Sequence, residues 1–93
     1  MKLKDKVAII AGGTKGIGLG IALEYVREGA KVVVGGTSPE NGKAAENEVA
    51  EAGGDGFFVA CDVSDLSALD NIVERTVERY GRVDIYVANA GIN

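Results

Sequence analysis

Short apolar, β-branched runs alternate with amphipathic stretches along this chain, and the first run ends in a cluster of glycines. Together these observations predict an α/β protein built on a doubly wound parallel sheet. Four strands and three helices fit into the 93 residues. Strand order 3-2-1-4 is expected from fold precedent and from the right-handedness of parallel crossovers. The apolar runs are continuous rather than alternating, as they are in strands covered on both faces. No linker, low-complexity tract or repeat divides residues 1–93, so one unit is expected.

The first strand is read at Lys6 to Ala11, followed by a helix from Gly16 to Glu28. That helix carries Ile17, Ile21, Ala22, Tyr25 and Val26 at helical spacing, with Gly29 as its stop. The second strand is Lys31 to Gly35. Ser38 then reads as an N-cap with Pro39 at the first helical position. The second helix runs through Ala44, Ala45 and Val49 to Gly53-Gly54. Its apolar face is thin, so it is expected to be the most exposed of the three. A third strand at Gly56 to Cys61 leads to a helix from about Asp65 to Tyr80, with Ser64 placed to cap it. Leu66, Leu69, Ile72, Val73, Val77 and Tyr80 share one stripe of that helix, marking it as the main core helix. The fourth strand is Asp84 to Asn89.

Composition narrows the function. A formal charge of −4 and no basic run beyond the alternating Lys2, Lys4 and Lys6 leave no footprint for nucleic acid or an anionic membrane. The opening segment has an apolar run of only five residues, Val7 to Ala11, too short for an export signal or a membrane span. With one cysteine and no histidine, the chain holds no internal disulfide, no Cys/His metal site and no Ser-His-Asp or Cys-His pair. Cys61 lies inside an apolar run and reads as a small buried hydrophobe. A reducing, cytoplasmic compartment is expected.

The chemistry concentrates where the first strand becomes the first helix, in Ala11-Gly12-Gly13-Thr14-Lys15-Gly16-Ile17-Gly18. Such a turn needs glycines for the bend, for backbone approach to a pyrophosphate and for close helix packing. The helix N-terminus adds free N–H groups and a partial positive charge. A hydrolytic phosphate loop, G-x-x-x-x-G-K-(S/T), is disfavoured: Gly13 and Gly18 have its spacing, but Leu19 stands where lysine is required.

The spacing Gly12-x-x-x-Gly16-x-Gly18 resembles that of the short-chain dehydrogenase/reductase family rather than the G-x-G-x-x-G of other Rossmann enzymes. Asp62-Val63, after the third strand, resembles the family's adenine-contacting pair. Asn89-Ala90-Gly91 resembles the last three residues of its Asn-Asn-Ala-Gly motif. Thr37-Ser38 with Glu40-Asn41-Gly42 looks most like the 3-oxoacyl-(acyl-carrier-protein) reductase branch. Ala11 stands where the family has Thr, which removes a hydroxyl that would brace the loop, and Ala88 where it has the first Asn, which removes an amide that could tie the fourth strand to its neighbours.

The resemblance implies a Rossmann-type half-domain that binds NAD(P). Its cofactor contacts would be Gly12, Thr14, Lys15, Gly16, Ile17, Gly18, Thr37, Ser38, Asp62, Val63, Asn89, Ala90 and Gly91. NAD sites place a carboxylate about 20 residues past the glycine loop, on the ribose 2′-OH. Here that stretch reads Gly35-Gly36-Thr37-Ser38, and Lys15 matches the basic residue of NADP-preferring members. NADP is therefore expected over NAD.

The family's hydride transfer uses a tyrosine and a lysine four residues later for its proton chemistry. Tyr25, Tyr80 and Tyr86 are followed at that distance by Gly29, Asp84 and Ala90. The resemblance therefore implies that the catalytic residues lie beyond Asn93, and no catalytic residue is assigned to this chain. The fourth strand is then expected to leave an unpaired edge through which the chain self-associates. Two alternatives stay open: a nucleotide-binding module without turnover, and an interaction domain that pairs through that edge.

Overall fold

The computed structural model describes residues 2–89. Its elements are β1 (Val7–Ala11), α1 (Gly16–Arg27), β2 (Lys31–Gly36), α2 (Pro39–Glu51), β3 (Gly56–Ala60), α3 (Leu66–Tyr80) and β4 (Ile85–Ala88). The sheet is wholly parallel, in order β3-β2-β1-β4, as expected. Ile9 lies opposite Val33 of β2 and Tyr86 of β4, and Val33 opposite Phe57 of β3.

Alternate residues of each central strand feed two cores, because successive side chains leave a strand on opposite faces. Ala8, Ile10, Val32 and Val34 pack with Ala22 and Val26 of α1 and with Ala45 and Val49 of α2. Ile9, Val33, Val59 and Cys61 meet Ile72 of α3 on the other face. This two-sided covering is why β1 is buried along its whole length. Each fully buried Val or Ile contributes about 1.5–3 kcal/mol relative to exposure.

Local signals set most element ends. Ser38 Oγ accepts from the Asn41 N–H at 3.2 Å, so Ser38 is the N-cap expected of it, and Pro39 occupies the first turn. Gly29 follows α1 with φ +94°, a left-handed conformation that favours glycine. The amide N–H of Asp84 donates to Val7 O (2.8 Å), and its Oδ2 accepts from the Val7 N–H (2.9 Å), pinning the start of β4 to β1. Arg82 holds the other oxygen at 2.7 Å, and with the Val7 contact keeps the Asp84 carboxyl below the usual carboxylate range.

Two expectations need correction. The cap of α3 is Asp65, whose carboxylate accepts from the Ser67 N–H at 2.9 Å; Ser64 instead bonds back to Asp62. A carboxylate one residue later captured the helix start. On α3, Leu66 is 78% and Val77 46% exposed, while Ile72 and Thr76 are fully buried. Thr76 is tolerated there because its hydroxyl donates to Ile72 O at 2.6 Å. On α2, Gly42, Ala45 and Val49 are buried against the sheet and most other positions are exposed, in keeping with its thin apolar face.

Candidate functional site

The C-terminal ends of β1, β2 and β3 open together onto one cleft of about 210 Å³. Its floor is the turn from β1 into α1. Gly16 adopts φ +59°, and nothing lies within 4 Å of where its Cβ would stand, so bare backbone faces open space. Gly18 does the opposite: a Cβ there would lie 2.0 Å from Gly12 O and 2.7 Å from Asn89 Nδ2. Only glycine lets α1 start so close to the end of β1 and to Asn89.

The N-terminus of α1 is open. Lys15 occupies the cap position with no side-chain hydrogen bond, and the first turn carries no acidic residue. By contrast α2 and α3 are capped by Ser38 and Asp65. The leading N–H groups and positive dipole end of α1 therefore remain available to an anion. Thr14, only 8% exposed, and the exposed Lys15 line the cleft beside this turn.

A second wall comes from the end of β2 and the start of α2, where Gly36, Thr37, Ser38 and Asn41 line the cleft. It carries hydroxyls and a carboxamide but no carboxylate. The third wall is Cys61, Asp62 and Val63 after β3. Asp62 Oδ1 accepts from both the hydroxyl (2.7 Å) and the N–H (3.0 Å) of Ser64. Those two bonds, the hydroxyl's foremost, draw the Asp62 carboxyl below its ordinary range. Burial chiefly, with Asp62 and Asp65 adding to it, pushes the Cys61 thiol up, as suits a buried and unreactive side chain.

Asn89 closes the cleft from just past β4. It is 3% exposed; its N–H donates to Ala11 O (2.8 Å) and its Nδ2 to Gly12 O (3.3 Å). Asn89 thus ties the fourth strand to the glycine turn although Ala88 offers no amide.

The structure brings Gly12, Thr14, Lys15, Thr37, Ser38, Asp62, Val63 and Asn89 to one cleft from four separate segments. Gly16 and Gly18 shape the turn beneath it. The side chain of Ile17 is 60% exposed and forms no part of the cleft wall. Ala90 and Gly91 lie outside the described residues. Sequence reasoning missed Gly36, Asn41 and Cys61. The available signal for Asn41 was its place three residues after the Ser38 cap, which puts it in the same helical turn.

The family model for short chain dehydrogenases matches residues 6–93. A 3beta-hydroxysteroid dehydrogenase of Mediterraneibacter gnavus is 40% identical over 91 residues, covering 98% of this chain and 33% of that protein. A hydroxysteroid dehydrogenase of Escherichia coli superposes with a TM-score of 0.92 at 34% identity, over 97% of this chain and 38% of that one. An actinorhodin polyketide ketoreductase solved with NADPH gives 0.88 at 40% identity, over 92% and 33%. The chain spans about a third of the length of the curated relatives it matches. With the family's glycine turn, parallel sheet and strand order all in place, the chain belongs to the short-chain dehydrogenase/reductase family.

Proposed function

We propose that residues 1–93 form the dinucleotide-binding portion of a short-chain oxidoreductase, and that the dinucleotide is NADP(H) rather than NAD(H). One observation carries this reading. The cleft joins an uncapped helix N-terminus, suited to a pyrophosphate, to a neighbouring wall that has hydroxyls and no carboxylate. In this reading the N–H groups of Gly16, Ile17 and Gly18 hold the pyrophosphate beside Gly12 and Thr14. Lys15, Thr37 and Ser38 take the ribose 2′-phosphate. Asp62 accepts from the adenine amino group, with the Val63 backbone alongside. Asn89 braces the turn, and Ala90 and Gly91, outside the described residues, are assigned to the cofactor's contacts by the family motif.

When bound, the cofactor supplies hydride chemistry between a carbonyl and an alcohol. The proton-transferring groups of the whole protein are assigned outside these residues, because Tyr25, Tyr80 and Tyr86 each lack a lysine four positions on. Tyr80 is instead committed to structure, its hydroxyl donating to Asp55 Oδ1 at 2.8 Å. A reducing, cytoplasmic location fits the one buried cysteine.

The test is a titration of NADPH into the chain, read by nucleotide fluorescence and melting temperature, with NADH and ATP alongside. At 100 times its Kd, a ligand that binds only the folded state adds about 2.7 kcal/mol of stability. NADPH is expected to stabilise most. An equal response to NADH would remove the preference, and no response to any nucleotide would overturn the site.

A further inference from the structure

Two helix N-termini meet at the cleft, and they differ in what they offer an anion. The first turn of α1 is open, whereas that of α2 is nearly closed. Pro39 has no N–H, the Asn41 N–H is taken by Ser38 Oγ (3.2 Å), and the Gly42 N–H donates to Ser38 O (2.9 Å). Any polar contact from this wall must therefore come chiefly from side chains. The acidic residue of the turn, Glu40, is turned away, lining a separate shallow groove with Lys43. What α2 presents to the cleft is Asn41, whose carboxamide has no hydrogen-bond partner among the described residues.

Asn41 is also held in place. A Cβ on Gly42 would lie 2.4 Å from the Phe58 ring, so α2 sits directly on β3. One turn further along, Glu46 Oε2 accepts from the Phe58 N–H at 2.7 Å and clamps the same contact. The carboxamide therefore belongs to a rigid wall rather than to a loop that can swing aside.

Resting on the dinucleotide reading above, we infer that Asn41 is a specificity-determining residue for the ribose 2′-substituent. A carboxamide donates through Nδ2 to a phosphate oxygen and accepts through Oδ1 from a 2′-hydroxyl, so by itself it admits both cofactors. The Lys15 cation then tips the balance toward the phosphate. A carboxylate of the same shape at this position would repel the phosphate while still accepting from a hydroxyl. A neutral carboxamide where a carboxylate would be charged thus keeps the phosphate admissible at this wall and leaves the preference to Lys15.

The experiment uses small probes on the whole chain: adenosine 2′,5′-bisphosphate against adenosine 5′-monophosphate, repeated with NADPH and NADH. Asn41→Asp is expected to weaken the bisphosphate relative to the monophosphate by about tenfold or more. Asn41→Ala should weaken it only a few-fold, the loss of one hydrogen bond. The ligand-free melting temperature of Asn41→Asp should be unchanged or higher, because an acid in the first turn complements the helix dipole; this separates lost recognition from lost folding. If the wild-type chain prefers the bisphosphate and Asn41→Asp keeps the same ratio, the role of Asn41 is overturned while the proposed function stands. If the wild-type chain responds to no nucleotide, the dinucleotide reading fails and takes this inference with it.

Discussion

Gly18 and Gly20 stand two residues apart in α1, and one added methyl group would act on them in opposite ways. At Gly18 the new carbon would meet Gly12 O at 2.0 Å, against backbone that cannot yield without opening the turn. Gly18→Ala should cost about 1–3 kcal/mol by overpacking and abolish the nucleotide response. At Gly20 nothing lies within 4 Å. Gly20→Ala should therefore stabilise the chain by about 0.5–1 kcal/mol through lower backbone entropy, with nucleotide binding kept. Thermal unfolding of the two variants with and without NADPH checks both. The spacing of glycines marked Gly18 as special from the sequence. The reason it is special, the approach of Asn89 from 71 positions further along, appears only when β4 is in place beside β1.

At the scale of elements, helix burial followed shape more than hydrophobicity. The sequence of α2 looked weakly apolar, yet it packs closely because its contact face is built of small residues, with Gly42 against Phe58 and Ala45 fully buried. The stripe on α3 looked strong, yet it is wider than the surface it covers. Ile72 reaches the sheet beside Gly35, where a Cβ would lie 2.9 Å from Ile72 Cδ1, whereas Leu66 at the helix start stays 78% exposed. Ile72→Ala should accordingly cost about 2–5 kcal/mol. Leu66→Ala, on the same stripe, should fall within about 0.5 kcal/mol of wild type. Denaturant unfolding of the pair measures the contrast, and equal losses would mean that Leu66 is covered in solution.

At the scale of the whole molecule, the two edges of the sheet are finished differently. On β3 the outward Phe58 N–H is occupied by the Glu46 carboxylate, and the Arg79 guanidinium lies 5.3 Å from the centre of the Phe57 ring. Side chains from neighbouring helices that occupy or cover an edge strand discourage its pairing with another chain. On β4 the outer edge has no partner among the described residues, and Tyr86 is 41% exposed. We propose self-association of the 93-residue chain through β4, seen by light scattering as a mass that rises with concentration. A constant monomer mass at high concentration would remove this proposal.

Local chemistry was enough to establish the alternation of strands and helices, the Ser38 cap, the buried Cys61 and the glycine turn, because each depends on residues within a few positions of one another. The motifs after β3 and β4 were legible as motifs for the same reason. Their convergence was not, since Asp62 and Asn89 come to one cleft only through the 3-2-1-4 strand order, which rested on precedent rather than on residues. Tertiary packing alone decided that Asn41 rather than Glu40 lines the cleft and that Ile17 lies outside its wall. Those outcomes depend on how each helix is rotated against the sheet, and rotation is set by contacts between residues far apart in the chain.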